Sequence, residues 1–236
     1  MVTIEINGKK VQAQEGAYVL DAARSAGFEI PTLCFNEGLS REGRCRMCMV
    51  EVEKNGRTRL VASCLYLVED GLKVRTDTEK VHTVRRMVLE LLLARHPEVK
   101  RVRELAEEYG VTGSRFGSDE GTGKCILCGL CVRTCREVVG VDALGFSFRG
   151  VTKKVGTPFV EPSEACIGCG ACYFACPTGS IELKDEGDER TIWGRTFKMQ
   201  ACEKCGRYFA PIYQLEWISK QTGVPLANLK ICQDCR

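Results

Sequence analysis

The sequence predicts an α+β chain, and at 236 residues it is long enough for one large domain or two to three small ones. Three observations carry the prediction. Polar and apolar residues alternate near the N-terminus around an Asn-Gly pair, as in a β-hairpin. Apolar residues then recur at three- and four-residue intervals over 78–109, as on one face of a helix. Sixteen cysteines fall into groups of four, eight and four, with none left over. In a secreted chain so many thiols would mean a disulfide scaffold. Here Met1-Val2-Thr3-Ile4-Glu5-Ile6 reads as a strand and not as a signal peptide, so a reducing, cytoplasmic setting is expected, with thiols used as metal ligands. The apolar run 88–94 is interrupted by Glu90 and is too short to cross a bilayer. A formal charge of +3 is nearly balanced and points to neither nucleic acid nor membrane.

Residues 1–78 form the first module. Thr3-Ile4-Glu5-Ile6 alternates, Asn7-Gly8 turns the chain, and Val11 begins the return strand. Val19, Ala22, Ala23 and Ala26 share a helical face, Asp21 and Arg24 point outward, and Gly27 ends the helix. After Pro31 comes a loop with Cys34-x10-Cys45-x2-Cys48, and Cys64 follows. A close pair with two outlying thiols suits a 2Fe–2S cluster, in which each iron takes two thiolates. The first gap is ten residues, where the plant-type motif has four. Gly38, Gly43, Arg41, Arg44 and Arg46 mark a loop whose backbone N–H groups can face an anionic cluster. A four-cysteine zinc site would satisfy the same spacing; the cysteine runs that follow favour iron. Strands over 49–53 and 60–63 flank a second hairpin turn at Asn55-Gly56.

Residues 79–123 read as a helical linker. Val81, Val84, Val88, Leu91 and Leu92 give one helix, capped by Asp77 or Thr78 and broken at Pro97. Val102, Leu105 and Tyr109 give a second, ended by Gly110. Residues 111–123 are rich in Gly, Ser and Thr. His82 reads as a solvated helix position and His96 as a surface or helix-end residue.

Residues 124–190 hold Cys125-x2-Cys128-x2-Cys131-x3-Cys135 and then Cys166-x2-Cys169-x2-Cys172-x3-Cys176-Pro177. This is the two-cluster bacterial ferredoxin pattern, in which the fourth cysteine of each run ligates the other cluster. It assigns one 4Fe–4S cluster to Cys125, Cys128, Cys131 and Cys176, and a second to Cys135, Cys166, Cys169 and Cys172. Arg136 stands where the second run has Pro177, and either brings positive charge to a cluster or is a solvated surface residue. Ile126, Leu127, Ile167 and Phe174 are expected to exclude water. Short strands are expected over 143–148, 159–161 and 180–183, and a turn over 184–190.

Residues 191–236 carry Cys202-x2-Cys205 and Cys232-x2-Cys235, paired knuckles that read as a zinc-ribbon-like tetrahedral site. Zinc is the first choice. Rubredoxin-like iron is the alternative, disfavoured by a helical insertion over 213–222 in which Leu215, Trp217 and Ile218 share a face. No basic, aromatic-interleaved patch supports a nucleic-acid-binding ribbon.

The Cys34/Cys45/Cys48/Cys64 spacing, the N-terminal helix and the paired runs together resemble the iron–sulfur subunit of the NADH-oxidising arm of respiratory complex I. They are still more similar to its shorter relatives, the diaphorase iron–sulfur subunits of NAD-reducing and electron-bifurcating hydrogenases and the equivalent regions of formate dehydrogenases. The resemblance covers about residues 1–185 and implies a β-grasp fold for 1–78. It also implies a further cluster on one histidine and three cysteines after the first helix of the linker. His96-Pro97 is present, but no cysteine lies between Cys64 and Cys125, so this cluster is expected to be missing.

No dinucleotide fingerprint or P-loop is present, and Gly121-Thr122-Gly123 is too short to count as one. Two histidines in these positions make no catalytic arrangement. The chain is therefore expected to carry electrons and not to bind NAD or flavin itself. The resemblance implies as partners a flavin- and NAD-binding iron–sulfur subunit, a thioredoxin-like 2Fe–2S subunit and nickel–iron hydrogenase subunits, with ferredoxin in a bifurcating complex. The alternatives are the same role beside a formate dehydrogenase, a free multi-cluster carrier, and a zinc-ribbon regulator. A subunit should expose apolar surface, on the 78–109 helices and the tail above all.

Overall fold

The computed structural model describes residues 1–117 and 123–236, which divide into two compact units, Met1–Cys128 and Gly129–Arg236. Part of the expected linker and most of the Gly121-Thr122-Gly123 stretch lie outside the described residues.

In the first unit, β1 (Val2–Ile6) and β2 (Lys9–Ala13) pair antiparallel across Asn7-Gly8, whose φ values of 49° and 84° are those of a primed hairpin turn. α1 (Val19–Ser25) buries Val19, Leu20, Ala22 and Ala23 and ends at Gly27. β3 (Met49–Lys54) and β4 (Arg57–Ala62) repeat the hairpin around Asn55-Gly56. A strand without a sequence signal, β5 (Lys73–Arg75), joins the two hairpins. It runs parallel to β1 and antiparallel to β3, giving the order β2-β1-β5-β3-β4. Three residues are too few to display alternation, and only Val74 of the three is buried. Ile4, Ile6, Val50, Val52 and Val74 from the sheet pack with Val19 and Leu20 of α1.

α2 (Glu79–Arg95) starts at Thr78, whose hydroxyl accepts from the Val81 N–H at 3.3 Å. Its fully buried residues are Val81, Arg85, Leu89 and Ala94; of the expected stripe Val81 is buried and Val88 and Leu92 pack against the core, while Leu91 is 47% exposed. Arg85 can be buried because its guanidinium donates to the Met49 carbonyl at 2.7 Å and to the Tyr109 hydroxyl at 3.0 Å. α3 (Lys100–Glu108) buries Val102, Leu105 and Ala106. His96, the C-cap of α2, is at a helix end but not at the surface: it is buried, and its Nδ1 lies 2.8 Å from the Gly123 carbonyl. His82 is half-buried, paired with Asp77 and packed on the Tyr109 ring.

The second unit opens with α4 (Leu130–Arg133), which runs into a π turn at Thr134–Val139. β6 (Gly145–Ser147) and β7 (Lys154–Gly156) form a small hairpin. The strand expected over 159–161 is instead a 3-10 turn, Pro158–Val160, since Pro158 lacks an N–H for a ladder. α5 (Ala171–Ala175) follows. The strand expected over 180–183 begins only at Leu183, and the turn expected over 184–190 is mostly strand. β8 (Leu183–Glu186) and β9 (Glu189–Ile192) form a hairpin whose charged residues hid it. β10 (Arg195–Ala201) and β11 (Tyr208–Pro211) complete a sheet of order β11-β10-β9-β8, followed by α6 (Ile212–Thr222). No described helix is long and apolar enough to cross a membrane.

Candidate metal centres

The N-terminal cysteines come together as two pairs. The Cys48 and Cys64 sulfurs are 3.3 Å apart, close to the separation of two thiolates on one metal. The Cys45 N–H donates to the Cys34 sulfur at 3.4 Å, and the Leu33 N–H donates to the Cys45 sulfur at 3.4 Å. Within each pair one thiol is held up by the other: Cys45 by Cys34, and Cys64 by Cys48. Cys48 moves the opposite way, down to about 6, chiefly through its hydrogen bond with Cys64. Two adjacent pairs fit two bridged irons, two thiolates to each. Arg41 frames the loop: it pairs with Asp21 at 2.6 Å, donates to the Cys64 carbonyl at 3.3 Å and stacks on Tyr18 and Phe35. Gly43 holds φ +59°, a backbone conformation that favours glycine, with the Leu65 side chain beside it.

Cys125 and Cys128 close the first unit. Ile126, between them, packs on the apolar cluster of Leu33, Met47, Leu89 and Leu105 that also receives Cys45. Hydrogen bonding to Glu42 raises the Arg44 guanidinium above its ordinary value, and the thiols of both Cys34 and Cys128 add to the effect.

In the second unit Cys135, Cys166, Cys169 and Cys172 line one pocket, closed by Val141, Ala143, Leu144, Ile167, Ile192 and Trp193. These cysteines lie on two segments that α4, the π turn and α5 bring together. The loop carrying Cys166 and Cys169 is clamped from β9 and β10. Arg195 donates to the carbonyls of Ser163 at 2.7 Å and Cys166 at 2.8 Å. Arg190, held by Asp185 through two bonds of 2.7 and 2.8 Å, reaches the Gly168 carbonyl at 3.4 Å. Gly168 has φ +71°, and a Cβ there would meet the Phe197 ring at 2.7 Å. Burial raises the Cys135 and Cys166 thiols, and pushes Cys172 up to about 11 against the donation it receives from Trp193. Such thiols stay protonated without a metal, and coordination strips the proton. The apolar, four-thiol lining fits an iron–sulfur cluster.

Cys131 and Cys176 belong to the same apolar core as Cys135, Cys166 and Cys172. Burial works to raise the Cys176 thiol, but the Thr178 hydroxyl and the N–H groups of Thr178, Ser180 and Ile181 hold it below its ordinary value. Arg136 is half exposed and pairs with Glu137 at 3.1 Å. Ile167 is buried, whereas Phe174, expected to shield a cluster, is 79% exposed.

In the tail, the sulfurs of Cys202, Cys205, Cys232 and Cys235 all lie within 4.8 Å of one another. Cys205 and Cys232 are 3.8 Å apart. That is the edge of a tetrahedron with metal–sulfur bonds of about 2.3 Å, so the donors fit one four-coordinate ion. The Cys232 N–H donates to Cys202 and brings that thiol down to about 6. The most exposed apolar side chains lie elsewhere than expected. Apart from the terminal Met1, Phe159 is 89%, Phe174 79% and Val151 74% exposed, against 47% for Leu91 on α2 and 46% for Tyr208 in the tail.

Two family models match: a 2Fe-2S iron-sulfur cluster binding domain over residues 1–79, and a 4Fe-4S dicluster domain over 165–207. The second match takes in the second cysteine run and the first knuckle of the tail. Among solved structures, the chain is similar to one in the crystal structure of an NAD+-reducing [NiFe]-hydrogenase in the H2-reduced state. The two are 31% identical with a TM-score of 0.58, over 66% of this chain and 74% of that one.

The chain belongs to this family of iron–sulfur subunits.

The same family includes larger relatives. The chain is 32% identical over 228 residues to the NADPH-Fe(3+) oxidoreductase subunit alpha of Geobacter sulfurreducens, covering 87% of this chain and 27% of that protein. It is 36% identical over 211 residues to the NADP-reducing hydrogenase subunit HndD of Solidesulfovibrio fructosivorans, covering 77% and 36%. It is 34% identical over 216 residues to the NADH-ubiquinone oxidoreductase 75 kDa subunit of Reclinomonas americana, covering 82% and 31%. The iron–sulfur subunit described here thus spans between a quarter and two fifths of the length of these curated relatives.

Proposed function

We propose that the chain relays single electrons between an NAD(H)-linked flavoprotein subunit and a hydrogenase catalytic subunit, as a non-catalytic, cytoplasmic part of their complex. The observation that carries this reading is the pocket lined by Cys135, Cys166, Cys169 and Cys172, in which two segments of the chain meet around apolar side chains. A cluster bound there supplies one-electron exchange at iron. The residues around it hold the thiolates, exclude water and aim N–H groups at sulfur. In the full reading Cys34, Cys45, Cys48 and Cys64 hold 2Fe–2S in a β-grasp domain. Cys125, Cys128, Cys131 and Cys176 hold the other 4Fe–4S cluster. Cys202, Cys205, Cys232 and Cys235 hold zinc, which has no redox chemistry and serves structure or docking. The packing of Cys45 and Ile126 on one apolar cluster supports exchange between the 2Fe–2S ligands and the Cys125–Cys128 end of the relay.

Anaerobically purified chain should contain about ten irons and one zinc, the sum of these ligand sets. Four zincs and no iron would end the redox reading. An anaerobic pull-down from the native cell, read by mass spectrometry, tests the partners. A flavoprotein with a thioredoxin-like 2Fe–2S subunit and a nickel–iron hydrogenase supports the complex. Co-purification of ferredoxin adds a bifurcating branch. A formate dehydrogenase would change the terminal chemistry, and an unaccompanied chain would be a free carrier.

A further inference from the structure

Among the described residues, three two-residue hairpins have positive φ at both turn positions. Asn7-Gly8 has φ 49° and 84°, Asn55-Gly56 has 51° and 72°, and Trp193-Gly194 has 52° and 73°. The last joins β9 to β10, with Ile192 paired to Arg195. Asn is the residue this turn favours at its first position, because its short polar side chain tolerates left-handed backbone. Tryptophan has no such tolerance, so the turn itself does not account for Trp193. Its surroundings do. The half-buried indole lines the four-cysteine pocket, and its Nε1–H donates to the Cys172 sulfur at 3.4 Å. A phenylalanine would also offer the pocket an apolar ring but could not donate.

We propose that Trp193 tunes the cluster held by Cys135, Cys166, Cys169 and Cys172, its indole N–H favouring the reduced state through the Cys172 sulfur. This rests on the relay reading above. In a titration the oxidised cluster accepts one electron from dithionite, and the added negative charge spreads onto its sulfurs. A donor aimed at one of those sulfurs stabilises the product more than the reactant and raises the potential.

The test is an EPR-monitored dithionite titration of the full metal-loaded chain, as wild type, as Trp193→Phe, and with benzothienylalanine at position 193. The last keeps the indole shape and lacks the N–H. Both variants should make one of the two 4Fe–4S centres harder to reduce, by about tenfold in its equilibrium constant, or 59 mV for one electron. The other centre and the 2Fe–2S signal should not move. A wild-type signal with unshifted potentials in both variants overturns the inference and leaves the relay intact. Loss of the centre from the benzothienylalanine chain makes Trp193 a structural wall and also overturns it. A wild-type chain with no 4Fe–4S signal overturns the relay and the tuning together.

Discussion

His96 shows how much one side chain's surroundings matter. A lone histidine before a proline reads from sequence as a surface or helix-end residue; it does cap a helix end, but it is buried, with Nδ1 donating to the Gly123 carbonyl at 2.8 Å. That bond assigns the proton to Nδ1. Burial, more than the nearby Arg95 charge, pulls the ring below its ordinary value of 6.5. The unfolded chain therefore takes up the proton first as pH falls. Stability should be unaffected by His96 above pH 6.5, and should decline below it until the folded ring also titrates. His96→Gln should lower the thermal midpoint at pH 7.5 through a lost hydrogen bond worth about 1 kcal/mol. It should also flatten the fall between pH 7.5 and 5.5. Equal slopes in the two proteins would remove His96 from the titration. Arg85 belongs to the same scale: one charge inside the buried face of α2 is tolerable because Met49 and Tyr109 supply acceptors.

Among the elements, the hairpin of β9 and β10 does most to organise the chemistry. Arg190, Trp193 and Arg195 all reach from it to the Cys166–Cys172 segment. Arg195→Met would remove two donations to carbonyls and should cost about 3–6 kcal/mol, at about 1.5–3 kcal/mol for each bond to a charged donor. The expected consequence is faster loss of 4Fe–4S absorbance on exposure to air, with the 2Fe–2S spectrum preserved. Arg195→Lys should recover part of the lifetime. Unchanged bleaching in Arg195→Met would show that the loop holds its shape without the clamp.

For the molecule as a whole, the tail asks a separate question. Around α6, Ala210, Leu215 and Leu229 are the buried apolar cluster among the described residues, a small core for such a segment. The four thiols of the tail are therefore expected to take over part of the stabilisation by binding the metal proposed for them. Chelating that ion should speed amide exchange and proteolysis within residues 202–236. The sheet continues from β10 into β9 and β8, so the iron EPR signals should persist. Loss of the iron signals on chelation would tie the tail to the clusters.

Cysteine spacing, the two Asn-Gly turns, the helix stops at Gly27, Pro97 and Gly110, and the family were all legible in the linear chain. Each is a local rule, written in residues near one another: ligand spacing, positive φ, a missing N–H. β5 and the burial of Arg85 and His96 were not legible, because each depends on partners far away in sequence. The charged β8–β9 hairpin escaped for a related reason: with little apolar alternation, its strand character comes from pairing along the sheet. The same holds for the fine structure of the second-unit site. Spacing picks out the cysteines, but only folding brings Trp193 to the Cys172 sulfur and Arg190 and Arg195 to the backbone carbonyls of the same segment, since backbone hydrogen bonds and side-chain packing are satisfied together or not at all.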